Sequence, residues 1–234
     1  MEAWIDFASG PLFRISLAVV VLGLLYRIGV IVGQIAKTWA RANNKEVPLG
    51  KIAANTLKWT FPVRLFANRP IFSAASVLFH VGIILVPLFT LGHVAPLRFW
   101  LPAWWPVLSP GLSEFLTLLA VVMLGVVLVA RVGNKRSREL TYTSDVVLLV
   151  ILFCLMGSGF LAGRPDLNPV GARGMLLTHM LLGNLALIIT PMTKVAHCVL
   201  FPFSQLVFEL GWHYPLHTGR RVAQALYKGQ REPV

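Results

Sequence analysis

The stretch Met175–Phe201, MLLTHMLLGNLALIITPMTKVAHCVLF, decides how this chain is expected to fold. It is longer than the about 20 apolar residues a helix needs to cross a bilayer. It also carries two histidines, His179 and His197. An ionisable ring inside such a run is costly to bury and marks a functional position by default. The two lie 18 positions apart (197 − 179). On one continuous helix, at about 1.5 Å per residue, that is roughly 27 Å, nearly a full membrane thickness. It is also about five whole turns, so both rings face the same way.

Four further apolar runs lie upstream: Leu12–Ile35, Phe72–Val94, Leu112–Val132 and Ser144–Leu161, the last ending among Gly157, Gly159 and Gly163. Charged residues are only 13% of the chain, against roughly a quarter in soluble domains. The expected class is therefore an all-α membrane protein. It is read as a five-transmembrane-helix bundle over residues 1–210 with a cytoplasmic basic tail over 211–234 and no separate soluble domain. Pro191 lies inside the fifth run, and the helix is expected to extend past the membrane towards Leu210. The segment Met1–Gly10 is slightly acidic and no small-residue cleavage site follows the first run, so that run is expected to be a true span.

The net charge of +12 does not point to nucleic acid, because the basic residues sit between the apolar runs on alternate sides. The first connection holds Lys37, Arg41, Lys45, Lys51, Lys58, Arg64 and Arg69, whereas the second holds only Arg98. The third holds Arg131, Lys135, Arg136 and Arg138, the fourth Arg164 and Arg173, and the tail Arg220, Arg221, Lys228 and Arg231. Basic loops stay in the cytoplasm, which places the N-terminus outside and the C-terminus inside. The long first connection interleaves Trp59, Phe61 and Phe66 with its charges, so part of it is expected to be an amphipathic helix on the membrane surface. The outer loop with Trp100, Trp104 and Trp105 reads as an interfacial aromatic belt, or as a wall of a quinone pocket.

Two cysteines, Cys154 and Cys198, lie in or beside apolar runs with no CxxC or CxxCH pattern. That excludes iron–sulfur and covalent c-type haem ligation by this chain. Histidine is the remaining ligand type. His80 and His93 lie in the second run as His179 and His197 lie in the fifth. A b-type haem takes one neutral imidazole from each of two facing helices, so two pairs imply two stacked haems. Antiparallel running pairs His80 with His197 on the cytoplasmic side and His93 with His179 on the outer side. The 13 positions between His80 and His93 leave them well over 100° out of phase on an ideal helix. Pro87 between them is expected to break the register and turn His93 back; a local π-type turn, or a place at the less constrained helix end, would do the same.

Haem propionates need cationic or hydrogen-bonding partners. Arg131, Lys135, Arg136 and Arg138 are candidates on the inner side, and equally plain positive-inside anchors. Arg98 is a candidate for an outer propionate or a quinone, against a solvated loop charge. Lys194 reaches either the inner surface or an inner propionate. His213 and His217 read as interfacial or partner-contact residues, and Asp145 as an N-terminal helix charge. Gly82, Gly92 and Gly183 permit either close approach of a macrocycle or helix–helix packing.

The fifth run, read as H-x3-G-x7-P-x2-K-x2-H through His179, Gly183, Pro191, Lys194 and His197, resembles the ligand helix of the respiratory nitrate reductase gamma (cytochrome b) family. Leu78 to Ile83, LFHVGI, resembles the family's first ligand segment. Arg138 to Asp145, with Thr143 and Ser144 before the aspartate, resembles its inner loop. The likeness covers nearly the whole chain. The longer gap between His80 and His93 and the longer first loop look more like the cytochrome b subunits of redox complexes in sulfate reducers. The resemblance implies two bis-histidine haem b groups, a quinone such as menaquinone as substrate, and a bacterial or archaeal cytoplasmic membrane. It also implies a cytoplasmic iron–sulfur partner, ferredoxin-like or similar to heterodisulfide reductase, and in some complexes an external multihaem c cytochrome. Two other classes stay open: a haem-bearing anchor without its own quinone site, and a haem-free transporter whose histidines relay protons.

Overall fold

The computed structural model describes residues 1–41, 49–60, 63–213 and 224–225, and every regular element among them is helical. In chain order these are α1 (Glu2–Ser9), α2 (Pro11–Arg41), α3 (Leu49–Thr60), α4 (Val63–Asn68), α5 (Pro70–Phe89), α6 (Leu91–Val94), α7 (Pro110–Gly133), α8 (Lys135–Glu139), α9 (Thr143–Gly163), α10 (Ala172–Ile189) and α11 (His197–His213). Among the described residues, five helical stretches are long and apolar enough to cross a membrane: Glu2–Ala40, Pro70–Phe89, Pro110–Gly133, Thr143–Gly163 and Ala172–Met192. Each contains most of one apolar run, and together they make the architecture of a multi-pass membrane protein. The first connection is partly helical, as expected, in α3 and α4. Phe61, His217 and most of the expected 211–234 tail lie outside the described residues, as do the side chains of Trp59 and His213.

Two compact units divide the chain. The first comprises residues 1–17 and 63–188 and is centred on α7, which packs against both α5 and α9. α7 buries Ser113, Leu116, Thr117, Ala120, Leu124 and Val127, a three-and-four spacing that makes one continuous stripe. From α5, Gly82 meets that stripe so closely that a Cβ there would lie 2.6 Å from Ala120 Cβ and 2.7 Å from the Leu116 carbonyl oxygen. Gly82 is thus a packing glycine. The other two named glycines are not crowded: a Cβ at Gly92 meets open space, and one at Gly183 would stand 3.9 Å from Leu155 Cδ1. At the N-terminus α1 ends where Gly10 leaves helical geometry, with φ −102° and ψ −96°. Buried Asn184 donates to the Ala8 carbonyl at 2.9 Å, and Glu2 pairs with Arg173.

The second unit comprises residues 18–62 and 189–234. Within it α3 packs on α11 through Ile52 and Leu210, flanked by Ile35 and Leu206. Its other feature corrects the sequence reading. The fifth run is not one helix: α10 stops at Ile189, a 3-10 turn covers Thr190–Met192, and Thr193 is extended (φ −122°, ψ 179°) before a second 3-10 turn leads into α11. Pro191 supplies no N–H and clashes with the preceding turn, and the Thr193 hydroxyl accepts from the Val195 N–H at 3.4 Å. The freed Pro191 carbonyl accepts from Arg27 Nη1 at 3.0 Å. Gly23 lets α2 approach, since a Cβ there would lie 2.6 Å from Pro191 Cβ. The in-phase, 27 Å relation between His179 and His197 required an unbroken helix, so it does not hold.

Candidate functional site

His93 reaches its position by one of the three expected routes, a place at the helix end rather than a break at Pro87. Pro87 sits inside an uninterrupted α5, and the phase is reset three residues later at Thr90, which is extended at ψ 136°. A new helical turn starts there, with His93 and Val94 N–H both donating to the Thr90 carbonyl, at 2.9 and 3.0 Å. The carbonyls left at the end of α5 find partners in the loop that leads to α7. Trp105 Nε1 donates to Leu88 at 2.9 Å, Leu108 N–H donates to Phe89 at 2.8 Å, and the Trp105 ring stacks on Phe89. Trp100 and Trp104 remain exposed. The loop therefore divides between an exposed aromatic pair and a clasp on α5.

His93, so turned, meets His179 of α10. Their Nε2 atoms are 3.5 Å apart, with ring centroids at 5.8 Å and planes at 50°. Each ring is held from behind through Nδ1: His93 contacts the Val86 carbonyl at 3.3 Å and His179 the Leu155 carbonyl at 3.1 Å. Ser158 Oγ lies 3.5 Å from His179 Nδ1. A carbonyl can only accept, so Nδ1 carries the proton and each Nε2 presents its lone pair. Two lone pairs facing at this distance repel unless an electrophile stands between them. A metal–imidazole bond is about 2 Å, so two opposed bonds span about 4 Å, close to the observed separation. Among the described residues no group of three or more His, Cys, Asp or Glu converges. Two opposed imidazoles are nonetheless the full protein contribution to a bis-histidine haem, whose macrocycle fills the remaining positions. The donor set fits that group.

The other two expected ligands are oriented in the same manner. His80 Nδ1 lies 2.6 Å from the Ser76 carbonyl, with the Phe79 ring edge-on at 4.8 Å. His197 Nδ1 lies 2.6 Å from the Lys194 carbonyl. His80 belongs to the first unit and His197 to the second. All four imidazoles thus have the backbone-carbonyl support that fixes the tautomer of metal-binding histidines.

The expected basic residues are placed differently. Arg98 is exposed and donates through Nη2 to the Ala103 carbonyl of its own loop at 3.1 Å. Arg131 lies 4.0 Å from buried Asp145, whose other contact, accepting from Tyr142 N–H at 3.3 Å, makes it the helix-start charge expected. Arg138 is exposed on α8, as are Lys135 and Arg136.

A cleft of about 280 Å³ adjoins the His93–His179 pair, walled by Thr90, Leu91, Ser113, Glu114, Gly159 and Arg164 among others. Gly159 joins the two places: a Cβ on it would lie 2.8 Å from His179 Cε1. Arg164 pairs with Glu114 and forks onto Asp166, Nε to Oδ1 and Nη2 to Oδ2, both at 3.0 Å. Those hydrogen bonds hold the Asp166 carboxyl below its ordinary value and, with the Glu114 bond, hold the Arg164 guanidinium above its own. The roles of Glu114 and Gly159 were missed by the sequence reading. The available signal was that Glu114 is the sole acidic residue in the third apolar run.

A protein of Nitratidesulfovibrio vulgaris strain Hildenborough is 34% identical to the chain over 218 residues, covering 91% of this chain and 94% of that one. No family model and no solved structure matches.

Proposed function

This chain and the Nitratidesulfovibrio vulgaris protein belong to one family, and we propose that the chain is a dihaem cytochrome b subunit that carries electrons across a bacterial or archaeal cytoplasmic membrane. The observation that carries this reading is the His93–His179 pair, with Nε2 facing Nε2 at 3.5 Å and both Nδ1 atoms on carbonyls. The resemblance implies a second haem, and His80 and His197 each have Nδ1 on a backbone carbonyl, as a metal-binding imidazole does. When bound, haem takes up and gives back one electron at a time. The chain's own residues orient the imidazoles, keep Nε2 unprotonated and exclude water. The resemblance to the nitrate reductase gamma family, and more closely to the cytochrome b subunits of sulfate-reducer complexes, names the exchange partners. These are the quinone pool on the outer side and an iron–sulfur subunit on the basic inner connections. The same charge pattern supports an external N-terminus and a cytoplasmic C-terminus. The cleft beside His179 supports a quinone site of this chain over a passive anchor.

A reduced-minus-oxidised visible spectrum of the purified chain tests the reading, and a b-type α-band is expected. Substituting His93 or His179 is expected to remove one haem and leave the other. A second reading, a haem-free proton relay, is favoured by the same contact, because two facing Nε2 atoms can share a proton. A purified chain without any b-type band would end the first reading and leave the second to be tested by proton flux in proteoliposomes.

A further inference from the structure

We infer that Glu114 is the proton acceptor for a hydroquinone ring bound in the cleft beside His179, and that Arg164, shared between Glu114 and Asp166, is the residue that positions it. This inference rests on the proposed haem between His93 and His179.

The cleft is a slot with apolar walls from Leu91, Leu108 and Phe160 and a few polar groups at Thr90, Ser113, Thr117 and Glu114. That is the make-up of a small-ligand site, and the volume of about 280 Å³ suits one flat ring with its polar substituents. Oxidation of a hydroquinone releases protons as well as electrons, so a base must stand in the slot. The lining offers one. Thr117 Oγ1 is committed to the Ser113 carbonyl at 2.6 Å and Thr90 Oγ1 to Ser113 Oγ at 3.2 Å, and hydroxyls are not bases near neutral pH. Arg164 is always protonated. The α9 wall brings Gly159, Phe160 and Gly163, none of which titrates, and α6 brings Leu91. Behind Gly159 stands His179, whose Nδ1 faces the Leu155 carbonyl and whose Nε2 faces His93. Glu114 remains.

Arg164 explains how Glu114 can both hold and release a proton. While they pair, Glu114 is a carboxylate and so a base. When Glu114 takes a proton the ion pair weakens, and the fork to Asp166 still holds the guanidinium in place. Asp166 does not compete for that proton, because its hydrogen bonds to Arg164 keep it ionised. In each of two events an O–H bond of the hydroquinone breaks. The proton passes to a Glu114 oxygen and then to solvent past Arg164, and one electron would pass to a haem held by His93 and His179, which would hand the first electron on to the second haem before the second event. After both events the hydroquinone is a quinone, two protons have left, and two electrons have been accepted.

The test is stopped-flow reduction of the haems in the purified full chain by decylubiquinol and by menadiol. Glu114→Gln is expected to keep both haem bands and to leave the half-saturating quinol concentration within about threefold. At saturation it should slow reduction about 100-fold, the lower range for a lost general base. Glu114→Asp should restore most of the rate. Arg164→Gln should slow reduction with both haem bands kept, and Arg164→Lys, which retains a cation beside Glu114, should restore most of the rate. The inference is overturned if Glu114→Gln reduces within threefold of the wild-type rate, if its loss of rate follows a loss of haem bands, or if Arg164→Lys is no faster than Arg164→Gln. A wild-type chain reduced by dithionite but by neither quinol would instead overturn the quinone reading beneath it.

Discussion

At the scale of single residues, the His93–His179 pair shows how much of a site is set by groups that do no chemistry. Gly159 is one. A methyl group there would sit 2.8 Å from His179 Cε1, closer than packed atoms tolerate, so Gly159→Ala must push the imidazole off its line to His93. The expected outcome is a loss or a shifted reduction potential of one haem with the other unchanged, read by redox titration of the α-band. Asp166 is another. A carboxyl held below its ordinary value of 3.8 contributes to stability above that value, and the contribution is lost only as the pH falls below it. From about pH 7 to about pH 5 the Arg164–Asp166 fork is therefore constant, and any change in quinol-driven rate across that window belongs to another group. Asp166→Asn should leave the shape of the pH profile in that window intact, which a rate-against-pH series checks. The histidines were legible in the sequence because rings inside apolar runs are conspicuous. Gly159 was not, because its function is to be smaller than a neighbour 20 residues away.

Among the helices, the spans were legible and their ends were not. Apolar length alone marks a span, and all five runs lie on helices. The interruption at Thr190–Ala196 lies inside an apolar stretch, and proline is tolerated in membrane helices, so composition gave no reason to stop there. The reset of α5 was left between Pro87, a π-type turn and the helix end, and it occurs at the end, at Thr90. The cause is distant in sequence: the terminal carbonyls of Leu88 and Phe89 are taken by Trp105 and Leu108. No local pattern around residue 90 encodes those partners. The α5–α7 contact makes a sharper prediction. Because Gly82 faces the Leu116 backbone as well as Ala120, Gly82→Val cannot be absorbed by a side-chain rotation. It should destabilise the detergent-solubilised protein by about 1–3 kcal/mol, seen as a lower midpoint in thermal unfolding followed by haem release.

Over the whole molecule, the proposed orientation rests on the alternation of basic and nearly uncharged connections. A reporter that is active only in the cytoplasm, fused after Val234, is expected to be active, and the same reporter fused before Met1 is expected to be silent. Arg27, like Arg14, does not follow that pattern, because it lies within the first apolar run rather than between runs. Its guanidinium meets the carbonyl that Pro191 frees in the last one. A cation at mid-span costs about 2.5–3.5 kcal/mol during insertion, and its protein acceptor is synthesised some 160 residues later. The bond from Arg27 can therefore form only after the stretch that holds Pro191 has been made. A chain truncated after Gly163 should be integrated poorly and cleared quickly by membrane proteases, whereas the truncated chain carrying Arg27→Leu should persist. One hydrogen bond would thus tie the persistence of an early span to the arrival of a late one.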